Sequence, residues 1–146
     1  MTSLIFIGFS IPIAVCDIRS MKIPDLLIYS GISAMLGYRA AFLREGILLY
    51  ICAALISAVL FVMVRKISKS GLGWADVKYA ALCGLYAGLS YVFIGYVLTA
   101  LFCGIFFLIL KAAGRYGSGK AVPFTPFMAL GTVSVMLIPI VKQLAC

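Results

Sequence analysis

Six apolar runs fill this chain almost from end to end, with its basic residues gathered in the short loops between them. The runs cover roughly residues 2–16, 25–43, 46–64, 75–89, 91–110 and 123–141. Segments this apolar bury their backbone polar groups only as helices when no water is available. The alternation in steps of two that marks a membrane barrel is absent. Hydrophobic residues make up 65% of the chain and charged ones 11%, against about 25% charged in an ordinary soluble domain. At about 20 residues per span, 146 residues hold six spans and almost nothing else. The expectation is one all-α, membrane-embedded domain over residues 1–146, with no separate soluble module. The opening run has no basic stretch before it and no small-residue cleavage pattern after it, so it reads as a retained first helix. Runs one and four are short for a full span, which predicts helices that end early at one membrane face.

The net charge of +8 raises the question of nucleic acid, but the cations are spread through loops and form no single basic face. They set topology instead. Arg19, Lys22, Arg65, Lys66, Lys69, Lys111, Arg115 and Lys120 fall on one side, with Lys78 just inside run four. Only Arg39, Arg44 and Lys142 fall on the other. The positive-inside rule then puts both termini outside and the loops after runs one, three and five in the cytoplasm.

There is no histidine, which removes Ser-His-Asp and Cys-His chemistry and the commonest metal ligand. Cys16, Cys52, Cys83, Cys103 and Cys146 form no Cys-x-x-Cys pair and read as small apolar residues, with no metal site and no cofactor implied. Four acids remain: Asp17, Asp25, Glu45 and Asp76. Asp17 closes run one and Asp76 opens run four, on the same predicted cytoplasmic side. An acid costs roughly 2.5–3.5 kcal/mol at the centre of a membrane helix, so an acid at the edge of a span is a functional candidate. Two neighbouring carboxylates do not both ionise cheaply. One keeps a proton while the other can activate water, the division of labour used in aspartic proteolysis. The plainer reading pairs each acid with a nearby cation, Arg19 or Lys78. Asp25 and Glu45 lie outside the expected pocket.

Three irregular segments converge on that side. Gly71-Leu-Gly-Trp-Ala-Asp-Val-Lys78 is a glycine-bearing turn whose Gly71 and Gly73 could take positive φ beside Asp76. Its spacing is not that of a phosphate-binding loop. Ile23-Pro24 follows Asp17 and suits the start of the second helix. In Val122-Pro-Phe-Thr-Pro-Phe127, Pro123, Phe124 and Pro126 hold an irregular entry to run six, of the kind found where backbone lines a cavity.

Together, Asp17-Ile-Arg-Ser-Met-Lys-Ile-Pro24, the Gly71–Lys78 turn and the 122–127 segment resemble the three signature segments of the type IV prepilin peptidases. These are membrane aspartic peptidases of the GxGD class, similar at a distance to presenilin and to archaeal preflagellin peptidase. The resemblance implies an enzyme of the bacterial inner membrane that removes the leader from a prepilin or pilin-like protein. It cuts after a glycine, at the cytoplasmic face. Asp17 and Asp76 are then the catalytic pair, with Lys78 accompanying the second aspartate. Two departures stand out. Ala75 occupies the place where the family has glycine before its second aspartate. The insertion with two Cys-x-x-Cys pairs found in larger, methylating members is missing, so the chain looks like the minimal peptidase-only forms and methyl transfer is not expected. The substrate implied carries a basic leader and an apolar helix that docks against runs one, four and six within the lipid bilayer. The competing readings are a small transporter or channel component using Asp17 and Asp76 as a proton or cation site, and an inactive assembly partner. Acids of transporters tend to lie nearer the membrane midplane on broken helices.

Overall fold

The computed structural model describes residues 2–42, 46–68, 72–114 and 123–144, by backbone alone from 138 onward. Gly71, Glu45, Arg44, Lys69, Arg115, Lys120, Val122 and Cys146 lie outside the described residues. The described residues form six helices and no strand: α1 (Thr2–Ser20), α2 (Asp25–Phe42), α3 (Ile47–Ile67), α4 (Trp74–Ala87), α5 (Leu89–Ala112) and α6 (Thr125–Leu144). Three of them, α1, α3 and α5, are long and apolar enough to cross a bilayer. Side chains such as Leu4 (69% exposed), Leu26 (81%) and Leu48 (73%) point outward, as a lipid-facing surface requires.

One expectation is corrected here. The first helix is not short: it runs 19 residues, to Ser20, and Asp17 lies inside its last turn. A charge ends an apolar run without ending a helix, because the backbone bonds continue through it, the last being Met21 N–H to the Asp17 carbonyl (2.9 Å). The fourth helix is short, at 14 residues or about 21 Å.

Helix α4 is the axis of the bundle. Val77, Tyr79, Ala80, Leu82 to Ala87 are all buried, so it is surrounded on every face by the other helices. Gly84 permits the closest approach. A Cβ there would stand 2.6 Å from both the Ala53 carbonyl and Ser57 Oγ of α3. The α5–α6 pair uses the same device at Gly131, where a Cβ would meet the Gly95 carbonyl at 2.6 Å. Without a hydrophobic force between helices in lipid, such backbone approach supplies the packing.

Register between α1 and α4 comes from two hydroxyl bonds. Tyr79 donates to Ser10 Oγ (2.8 Å) and Tyr86 to Ser3 Oγ (3.0 Å). Phe6 stacks on Tyr86 between them, with ring centroids 4.2 Å apart. The helices are antiparallel, and seven residues along α1 match seven along α4 (10 − 3 = 86 − 79). A further step of seven carries Ser10 to Asp17 and Tyr79 to residue 72, one turn short of Asp76. The core register alone therefore brings the two aspartates to the same end of the bundle.

At the opposite end, the buried Arg39 of α2 donates to the Tyr86 carbonyl near the C-terminus of α4 (2.9 Å) and stacks over the Tyr50 ring (3.4 Å to the centroid). Its cation meets the negative end of a helix dipole there, which offsets part of the cost of burying it.

Candidate active site

Asp17 belongs to the buried stripe of α1, with Phe6, Ser10 and Ile13, and is only 7% exposed. Asp76 sits in the first turn of α4 and is half-buried. They come from segments 59 residues apart in sequence and meet at one residue of a third segment. Thr125, fully buried at the start of α6, donates its backbone N–H to Asp17 Oδ2 (3.1 Å) and its hydroxyl to Asp76 Oδ1 (3.1 Å). Gly73 N–H donates to the other oxygen of Asp76, Oδ2 (3.1 Å). The two carboxylates are near enough to repel one another.

The start of α6 explains why Thr125 is available. The first four N–H groups of a helix have no partner within it. Here Phe127 N–H turns back to the Phe124 carbonyl (3.1 Å), Met128 N–H reaches the same carbonyl (3.2 Å), and Pro126 has no N–H. The Thr125 N–H is left for Asp17. Among the flanking residues, Phe124 packs on Phe61 of α3 (6.3 Å between centroids) and Phe127 on Phe106 of α5 (5.2 Å), which anchors the segment on both sides. Pro123 is half-buried beside them.

Other sequence expectations fall differently. Gly73 does not use positive φ: its backbone is extended, at φ −70° and ψ 152°. What it supplies is room, since a Cβ would lie 3.1 Å from Asp76 Oδ2. Ala75 lies within α4 in helical conformation, where a methyl group is no obstacle. Lys78 is not beside the aspartate pair. It forms an ion pair with Asp25 (2.7 Å) and lies near the Tyr29 ring, both on α2. Residues two apart on a helix point to opposite sides, so Lys78 turns away when Asp76 turns inward. Pro24 is exposed and precedes α2, its carbonyl taking the Leu27 N–H (3.0 Å), so it starts a helix and does not line the pair.

Two contributors were not singled out from sequence. Thr125 is one. Arg65, at the end of α3, is the other: it donates to the Leu72 carbonyl and its guanidinium lies over the Trp74 ring (4.8 Å), which braces the turn leading into Asp76. Among the described residues no group of three or more His, Cys, Asp or Glu could hold a metal ion.

An apolar groove of about 380 Å³ runs away from the pair between α1 and α6, lined by Ile7, Ser10 and Ala14 on one wall and Pro126, Ala129 and Val133 on the other. Ala14 lies one turn before Asp17, and Pro126 adjoins Thr125.

Residues 4–109, which include both aspartates and end before Thr125, match the sequence model of the type IV leader peptidase family. The chain is similar to the Prepilin leader peptidase/N-methyltransferase of Bacillus subtilis (strain 168), at 22% identity over 135 residues. That alignment takes in 92% of this chain and 54% of the relative, so the chain spans about half the length of the curated relative it matches. No solved structure matches it.

Proposed function

Because the chain belongs to the type IV leader peptidase family, we propose that it is an aspartic endopeptidase that cuts the leader from a prepilin or pilin-like protein after a glycine. Asp17 and Asp76 are its catalytic pair, working at the cytoplasmic face of the bacterial inner membrane. The observation that carries this reading is the convergence of the two aspartates on Thr125.

In the proposed reaction the ionised carboxyl takes a proton from water, and the resulting hydroxide adds to the scissile carbonyl carbon. The protonated carboxyl gives its proton to the carbonyl oxygen. The intermediate is a neutral gem-diol, and the pair still holds one proton. Collapse breaks the C–N bond, the amine leaves with a proton from the pair, and a gem-diol hydroxyl returns one. The α1–α6 groove, lined almost entirely by apolar side chains, ends at Ala14, one turn before Asp17, and at Pro126, next to Thr125. It supports seating the apolar helix of the substrate there, with the scissile bond just beyond Ala14 and Pro126. This narrows the expected docking surface from runs one, four and six to the α1–α6 seam. The acids lie at helix ends and not at mid-helix, which favours a peptidase over a proton or cation carrier. The remaining features of the reading are six spans with both termini outside, and leader cleavage without methyl transfer.

The test is cleavage of prepilins by the purified chain in lipid. Asp17→Asn and Asp76→Asn are each expected to abolish product while the thermal transition stays in place. Turnover within about tenfold of the parent in either variant would rule out the pair, since neither variant can share a proton between two carboxyls.

A further inference from the structure

We infer that Thr125 is a positioning residue for the aspartate pair: its backbone N–H holds Asp17 as an acceptor, and its hydroxyl is the reversible partner that lets Asp76 carry the shared proton. The inference rests on the peptidase reading for its role in turnover, and on geometry alone for its effect on the two carboxyls.

The argument follows from what each donor can do. A backbone N–H only donates. Thr125 N–H therefore requires a lone pair on Asp17 Oδ2 in every protonation state, and Gly73 N–H requires one on Asp76 Oδ2. A threonine hydroxyl both donates and accepts. Facing Asp76 Oδ1 at 3.1 Å, it donates to the carboxylate and, after rotating about its C–O bond, accepts from the carboxylic acid. Asp76 Oδ1 is thus the one bonded oxygen of the pair whose partner is satisfied with the proton present or absent. Asp17 Oδ1 has no hydrogen-bond partner among the described residues, so no protein donor competes for its lone pairs. The division that results makes Asp17 the member that takes the proton from water and Asp76 the member that holds the other proton, given up to the substrate as the Thr125 hydroxyl rotates back to donate to the carboxylate.

Thr125 is fully buried, so no solvent hydroxyl replaces its own. The surrounding charges are engaged elsewhere. On α4 and α2, Lys78 and Asp25 pair with each other. From α3, Arg65 holds the Leu72 carbonyl and Trp74. Arg19 of α1 is exposed.

Thr125→Val keeps the side-chain shape and the backbone N–H but loses the hydroxyl, and Thr125→Ser restores it. Both are tested in the full chain in lipid by kcat, KM and the pH profile of kcat on a prepilin. A second readout is an NMR titration of ¹³C-labelled aspartate carboxyls. The chain has only Asp17, Asp25 and Asp76 to assign.

Thr125→Val is expected to lower kcat by about 10–100-fold, the worth of one hydrogen bond to a charged group, with KM within about twofold. Its pH profile and its Asp76 titration should be displaced, while the Asp25 titration stays put. Thr125→Ser is expected to stay within about threefold of the parent and to titrate like it. A Thr125→Val protein with the parent's kcat and carboxyl titrations overturns the inference. So does a Thr125→Ser protein as impaired as Thr125→Val, because the methyl group and not the hydroxyl would then matter. Failure of the parent to cleave any prepilin would count against the peptidase reading, and the carboxyl titration would still decide the role of the hydroxyl.

Discussion

Replacing Gly73 isolates the placement of one carboxylate from everything else in the fold. Its φ of −70° and ψ of 152° suit any L-residue, so Gly73→Ala introduces no backbone strain. The residue is exposed and packs against no core side chain, so the loss of stability should be confined to the weakened helix cap, up to about 1 kcal/mol. The new methyl group, however, stands 3.1 Å from Asp76 Oδ2, some tenths of an ångström inside ordinary contact. The carboxylate must move away. Its bonds from Gly73 N–H and the Thr125 hydroxyl both start at 3.1 Å, close to the upper end of good geometry, and lengthening weakens both. Complete loss of one such bond to a charged group is worth about 1.5–3 kcal/mol. Partial loss then predicts a fall in kcat of about 3–10-fold for Gly73→Ala, and of about 100-fold for the bulkier Gly73→Val. The assay is prepilin cleavage in lipid beside a thermal melt of each variant. Gly73→Val with the parent's kcat would refute the reasoning. So would a loss of activity fully accounted for by a loss of folded protein, because the defect would then lie in the fold and not in the site.

Ala75→Gly removes a helical alanine from the first turn of α4 and is expected to cost up to about 1 kcal/mol with no gain in cleavage rate. A rise in kcat would show that position 75 needs glycine's freedom after all. Arg39→Ala leaves the Tyr86 carbonyl and the Tyr50 ring without their partner and is expected to destabilise by about 2–4 kcal/mol while leaving kcat per folded molecule unchanged. Denaturation in detergent together with active-site-normalised turnover checks both halves. Arg39→Lys should recover little of the stability, because an ammonium does not reproduce the planar stack.

Much of this arrangement was readable in the chain because membranes make certain residues expensive. The hydropathy runs located all six helices, and 91–110 against Leu89–Ala112 differs only at the fraying ends. The acids stood out for the same reason. What hydropathy does not encode is direction around a helix axis. Lys78 follows Asp76 by two residues and looks like its companion in sequence, yet the helix turns it toward Asp25. Nor does hydropathy encode register. The Tyr79–Ser10 and Tyr86–Ser3 bonds join residues 69 and 83 positions apart, and serine and tyrosine within apolar runs carry no mark of their partners. Thr125 escaped notice because one buried threonine is chemically ordinary. The available signal was its setting between prolines at a helix start, where Pro126 has no N–H to give and the Thr125 N–H is left unclaimed.

The dipoles of the helices explain why a third segment is needed at all. Asp76 lies at the N-terminal end of α4, where a carboxylate is favoured. Asp17 lies in the last turn of α1, the negative end, where it is disfavoured, by about 0.3–1 kcal/mol in exposed positions and more when partly buried. Asp17 is also the more buried of the two, so α1 by itself gives it the worse environment. The start of α6 reverses that balance. It directs an unpaired N–H and the positive end of another helix at Asp17 while its hydroxyl reaches Asp76. Moving α6 away would leave Asp17 at a negative helix end beside a second carboxylate, with no donor for its Oδ2. The placement of the two carboxylates therefore depends on the docking of α6 through Phe124 and Phe127 as directly as on the aspartates themselves.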